Sequence, residues 1–323
     1  MKFLRIGLAA TLALLAMPAL GQSPPVGPSV APVAPIPSPE EMRAPWLEDY
    51  ANAMKAADFE RAFDIASVPA NAGDTEAQRA LARAYYSGHG VPQDYAESAA
   101  WYRKAADQGD PSAQASLAFM YDTGQGVPKD PKKAAALLRQ AADQGLPLAQ
   151  SGLARFYAKG DGVRRDYSEA AAWYRKAADQ GWIQAQYELA RLYQDGRGVP
   201  RNDGQAAQWY RSAAEQGHTQ SQYELGTLYQ SGSGVPKDDD QALTWYQKAA
   251  DKNYAPAQFA LAQFYEAGNV VPKDLAEARA WYAKAAAQGD RRASEQLARL
   301  DRDRAQASGA AERKKKKDQS APN

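Results

Sequence analysis

Cysteine is absent from the 323 residues. Disulfides, thiolate metal sites and a cysteine nucleophile are therefore excluded, as is the lipidated cysteine that opens a mature bacterial lipoprotein. Histidine is scarce as well, with two in the chain. His89 falls in a loop and His218 in a turn; neither pairs with Glu or Asp at i, i+4, and both read as solvated. The Ser-x-x-Lys, Gly-x-Ser-x-Gly, phosphate-loop and His-Glu-x-x-His patterns are missing, which leaves no catalytic residue, cofactor or metal ligand to assign. Asp238-Asp239-Asp240 lacks the spaced ligands and glycine of an EF-hand loop. It reads instead as acid favoured by the dipole at a helix N-terminus. A net charge of +1 marks no nucleic-acid partner. Val, Ile and Phe are few, so strands are disfavoured.

What the chain does hold is alanine and tyrosine. They supply most of the 45% apolar content while the mean hydropathy stays at −0.63. Alanine is the best helix former and packs where helices approach closely. The composition predicts an all-α protein with shallow, repetitive packing.

The two ends differ from the middle. Lys2 and Arg5 precede an apolar run from Ile6 to Met17, and Ala19-Leu20-Gly21 offers small residues for a signal peptidase. The run falls short of the about 20 apolar residues that span a bilayer. Residues 1–21 therefore read as a signal peptide cleaved after Gly21, leaving a periplasmic or secreted protein with no transmembrane segment. Residues 22–45 carry eight prolines from Pro24 to Pro45 and read as an extended linker. Residues 301–323 turn charged and run into Lys314-Lys315-Lys316-Lys317, a like-charged block expected to be a disordered basic tail.

The middle is a repeat. Val91-Pro92 returns as Val127-Pro128, Val163-Arg164, Val199-Pro200, Val235-Pro236 and Val271-Pro272, each 36 residues after the last. Trp101-Tyr102 recurs at the same period, with Leu137-Leu138 filling one slot. Each unit reads as two helices. In the first, Ala77, Leu81, Ala84 and Tyr85 form the buried stripe of an opening helix from about Asp74 to Ser87. Gly88-His89-Gly90 ends it. Asp94 then caps a closing helix, with Glu97 completing a capping box. Ser98, Tyr102, Ala105 and Ala106 make the second stripe, and Gly109 stops it. Residues 46–72 read as a degenerate N-terminal capping pair. Residues 73–300 hold six units and a C-terminal capping helix, since stacked repeats need atypical ends.

The pattern Ala77, Leu81, Tyr85, Gly88, Gly90-Val91, Asp94, Trp101-Tyr102, Ala105-Ala106, Gly109 resembles the Sel1-like repeat, a relative of the tetratricopeptide repeat. It departs where Val270 replaces a loop glycine and Asn253 an inter-repeat glycine. The resemblance implies a right-handed α-solenoid superhelix of helix–turn–helix units with opening helices on the concave side. It further implies adaptor or scaffold roles rather than catalysis. Cysteine-rich members have been assigned β-lactamase-like activity, but the paired cysteines they carry have no counterpart here.

With Leu81 at the stripe's centre and each residue turning about 100°, positions 79, 83 and 86 point away from the core. The first recurs as Tyr187, Tyr223 and Phe259; the second runs Arg83, Phe119, Arg155, Arg191. Tyr187, Arg191, Tyr223, Phe259, Arg83 and Arg155 are thus the candidate binding residues for a protein partner in the concave groove. The alternative is that the rings fill gaps between opening helices. Other readings of function are an envelope-polymer module acting through the basic tail and, last, a Sel1-type hydrolase. Trp101 and its copies lie at the stripe edge and read as structural.

Overall fold

The structure, a computed structural model, describes residues 45–319, with side chains as far as Ala310. The expected signal peptide, the expected linker up to Ala44 and the side chains of Lys314–Lys317 lie outside the described residues. Fifteen helices and no strand occur among those described. They run in antiparallel pairs, each packed on the next, as a right-handed α-solenoid. The first pair is α1 (Trp46–Lys55) and α2 (Phe59–Asn71). The opening helices of the six units are α3 (Thr75–Ser87), α5 (Pro111–Thr123), α7 (Pro147–Lys159), α9 (Ile183–Asp195), α11 (Thr219–Ser231) and α13 (Ala255–Ala267). Their closing partners are α4 (Tyr95–Asp107), α6 (Pro131–Asp143), α8 (Tyr167–Asp179), α10 (Asp203–Glu215), α12 (Asp239–Asp251) and α14 (Leu275–Ala287). Helix α15 (Arg291–Gln319) ends the array.

Local chemistry sets these boundaries. The Asp74 carboxylate accepts from the Ala77 amide, and Gly88 closes α3 in the left-handed conformation at φ 71°. Gly90 is also left-handed, and a Cβ there would collide with the Phe59 carbonyl of the preceding unit. Four of its five repeats are held the same way, against Tyr95, Pro131, Tyr167 and Asp203. At Val270 the φ value is not positive, since Ala57 and Asn253 are the described non-glycine residues in that region. Asn253, at φ 61°, keeps the left-handed turn of the glycines it replaces.

Asp94 caps α4 by accepting from the Ala96 and Glu97 amides. The capping box expected with Glu97 does not close, because the Asp94 amide donates to the Tyr85 carbonyl at 2.9 Å instead. Asp130, Asp166, Asn202, Asp238 and Asp274 repeat that bond to Tyr121, Tyr157, Tyr193, Tyr229 and Tyr265. The opening helix thus claims the donor, and in doing so clamps the two helices of a unit together.

Between units the polar groups are also paired. Gln78, Gln114, Gln150, Gln186, Gln222 and Gln258 are buried, and each side-chain amide donates to a carbonyl eight residues upstream. Gln108, Gln144, Gln180, Gln216 and Gln288 then donate to the side-chain oxygen of the glutamine 30 residues before. The fifth rung is broken. Lys252 stands in that place and donates to the Gly217 carbonyl, which leaves Gln222 Oε1 buried without a partner.

Apolar packing follows the stripes. Leu81, Leu117, Leu153, Leu189, Leu225 and Leu261 are buried, as are Tyr102, Tyr174, Tyr210, Tyr246 and Tyr282. Trp173, Trp245 and Trp281 are buried too, each beneath a lysine ammonium less than 4 Å from the ring centre. The charged end departs from expectation: Asp301 to Gln319 continue α15 as helix rather than losing structure. Ala, Arg, Gln and Glu dominate its first half, and all favour helix. The Arg279 guanidinium also grips Asp301 through two nitrogens.

Candidate functional site

Helices α5, α7 and α9 leave a groove of about 880 Å3 between them. Its floor is the closing-helix row Tyr102, Leu138 and Tyr174. Its walls include Phe119, Leu148 and Trp182, three of the largest exposed apolar side chains of the described surface, 51%, 53% and 37% exposed. Small residues keep it open. Ala115 and Ser151 occupy the slot above Leu138 and Tyr174, and Ser116 and Gly152 the positions beside them. At Gly152 a Cβ would come within 3.1 Å of a Leu138 methyl.

Four of the groove's charges form two ion pairs, while Lys159 at its edge is exposed and has no such partner. Arg155 reaches Asp122 at 2.9 Å, and Arg191 reaches Glu188 at 3.3 Å. Burial opposes the Arg191 charge, but Glu188, Tyr187, Tyr210 and Asp195 outweigh it and its pKa is raised. Tyr174 below them has its phenol pushed up, by burial first and by Glu188 second. The site is thus an apolar trough with two ion pairs and the Lys159 ammonium along its rim.

The six residues singled out from the sequence do not share one place. Arg155 and Arg191 line the groove. Arg83 faces a separate cavity of about 430 Å3, with Tyr50, Phe59 and Phe63. Tyr187, Tyr223 and Phe259 do not point away from the core. They are half-buried and lean on Tyr210, Tyr246 and Tyr282, with ring centres 5.9, 5.6 and 5.4 Å apart. A wheel centred on one stripe understates the buried arc, because a solenoid helix packs on its own partner and on both neighbouring units. In α13 Ala257, Gln258, Ala260, Leu261, Ala262 and Phe264 are all buried, which leaves position 259 at the edge of the core.

Leu148, Trp182 and the floor residues were not legible as site residues. Trp182 does carry a signal. It takes the N-cap slot that Asp110 and His218 use for capping bonds and that Leu146 and Tyr254, like Trp182, do not. Of these three uncapped slots, that of Trp182 is the one that lines the groove and stays exposed. His218 is not simply solvated: its Nδ1 accepts from the Ser221 amide and its ring lies 4.8 Å from that of Tyr187. Burial, then the Lys252 charge, lowers its pKa. His89, still exposed, stacks on Phe59, and Asp238 caps α12. Among the described residues no group of three or more His, Asp and Glu could hold a metal ion.

The Sel1 repeat family model matches residues 75–110, 111–146, 147–182, 183–218, 219–254 and 255–290. The chain belongs to the Sel1 repeat family. Sel1 repeat proteins are generally scaffolds for protein–protein interaction. This one is similar to c5321, a protective antigen of uropathogenic Escherichia coli with the same fold, at 38% identity and a TM-score of 0.77. That match covers 79% of this chain and 56% of the antigen, so the chain spans little more than half the antigen's length. It is also similar to a Sel1 repeat protein from Oxalobacter formigenes, at 31% identity and a TM-score of 0.65, covering 75% of this chain and 97% of the other. No protein of curated function matches.

Proposed function

We propose that this Sel1 repeat protein is an adaptor that grips an extended segment of a partner protein in the groove of α5, α7 and α9. The observation that carries the reading is the row Phe119, Leu148 and Trp182, apolar side chains left in solvent around an open floor. Large exposed rings in a concave patch mark interaction surfaces and supply most of the affinity when covered. Three opening helices at about 10 Å each give room for roughly six to nine extended residues at about 3.3 Å apiece. Two of the rim's cations are already paired with Asp122 and Glu188, which fits a segment bound mainly through apolar side chains.

A random dodecapeptide phage library selected on the immobilised protein tests this. Wild type should enrich peptides with paired apolar residues, and a Phe119→Ser, Leu148→Ser variant of unchanged helicity should not. No enrichment, or the same peptides from both, would overturn the groove reading.

We also read the chain as exported to the periplasm or beyond, from the basic, apolar and small-residue order of residues 1–21. No helix of the described residues is long and apolar enough to cross a membrane. Intact mass of the native protein should place its first residue at Gln22; a soluble species retaining residues 1–21 would refute export by cleavage.

A further inference from the structure

The row that begins with Ser116, Gly152 and Glu188 in the groove continues one unit further, at Glu224 on α11. Glu224 is half-buried, and it has no hydrogen-bond or ion-pair partner among the described residues. The cation whose charge reaches it is committed elsewhere. Arg191 is paired with Glu188 at 3.3 Å. Its other neighbours are rings: Tyr187 of α9, Tyr210 of α10, Tyr246 of α12, and Tyr254 at the head of α13, all of which feel its charge. Tyr187 and Tyr254 are themselves held by the aromatic pairs Tyr187–Tyr210 and Tyr223–Tyr254, at 5.9 and 5.6 Å.

An unpaired carboxylate among aromatic rings lacks one component, a cation. A carboxylate gives a charge-assisted bond to an ammonium or guanidinium, and ring faces attract the same charge. We propose that Glu224, walled by Tyr187 and Tyr254, receives a lysine or arginine side chain of the segment bound in the groove. This rests on the groove reading. One unit separates Glu224 from Glu188, about one helix diameter, or roughly three extended residues. The partner segment thus carries apolar residues followed, at that interval, by a base.

The free protein gives up some stability for this arrangement. Burial raises the Glu224 pKa, with the Arg191 charge opposing. The native state therefore holds its proton more tightly than the unfolded chain, and stability falls as pH rises from the ordinary carboxylate range through the raised value. Glu224→Gln removes that loss. A merely structural carboxylate would not make its removal stabilising and binding-deficient at once.

The same phage selection, run on Glu224→Gln, is the test. Wild type should enrich Lys or Arg at one side of the apolar pair, and the variant should keep the apolar pair while losing the base. A selected peptide, synthesised with its base or with norleucine, then enters a double-mutant cycle with wild-type and Glu224→Gln protein. Each single change should weaken binding about tenfold, and the two together no more than one alone. The variant should also melt at or above the wild-type temperature at pH 7. Apolar peptides without a base preference, or a preference that survives in the variant, would overturn the base site and leave the groove standing. No enriched peptide at all would overturn both.

Discussion

Units two and three and units four to six share one backbone plan but present different surfaces. In the slot two residues before the buried leucine, units two and three hold Ala115 and Ser151, and units four to six hold Tyr187, Tyr223 and Phe259. Below the small residues, Leu138 and Tyr174 remain 8% and 5% exposed; below the rings, Tyr210, Tyr246 and Tyr282 are 0%, 2% and 1% exposed. One side-chain position thus decides whether a unit offers a trough or a closed wall. The repeat backbone supplies the register, and function is written in the residues that the register leaves free.

The largest expected effect separates the two floors. Tyr210→Ala should cost about 4 kcal/mol, within the range for a fully buried ring. Tyr174→Ala should cost about 3 kcal/mol, because its ring already borders open space. Urea unfolding followed at 222 nm would measure both, and equal costs would erase the distinction between wall and trough. A smaller loss, about 2 kcal/mol, is expected when Tyr187→Ser and Tyr223→Ser uncover Tyr210 and Tyr246. If the pair instead leaves the melting curve unchanged, those rings are solvent-facing and the wall is not a wall.

Next in size is the broken glutamine rung. Lys252→Gln should pair the orphaned Gln222 oxygen and stabilise by about 1 kcal/mol, raising the melting temperature by roughly 2–4 °C for a domain this large. No rise would mean that Gln222 finds its partner in water. The smallest effect concerns His218. Its pKa is lowered by burial and by Lys252, so the unfolded chain takes up the proton first as pH falls below about 6.5. Stability should therefore drop with acidification from that point until the lowered value is passed. His218→Asn keeps a capping side chain and should flatten that limb of a stability–pH curve; an unaltered limb would assign it to another group.

The fold was legible because its signals are local and repeat. Leu81, Tyr102, Gly88 and Asp74 behave as their spacing and backbone chemistry require. The glutamine rungs keep the same 36-residue period, yet buried polar residues look like surface in a pattern search. The wheel failed at Tyr187, Tyr223 and Phe259, since no single helix records that neighbours on both sides widen its buried arc. Arg155 and Arg191 were found for their exposure, whereas Leu148 and the floor became visible as a site only with three helices side by side. Asp301 to Gln319 form helix because good helix formers outweigh the like charges that suggested disorder.

The central claim is that small residues at one slot create the binding surface, and Ser151→Tyr tests it most directly. The new ring should cover Tyr174 as Tyr187 covers Tyr210. Affinity for a groove-selected peptide, measured by isothermal titration on protein of unchanged helicity, should fall at least a hundredfold. Undiminished affinity with the groove filled would contradict the account.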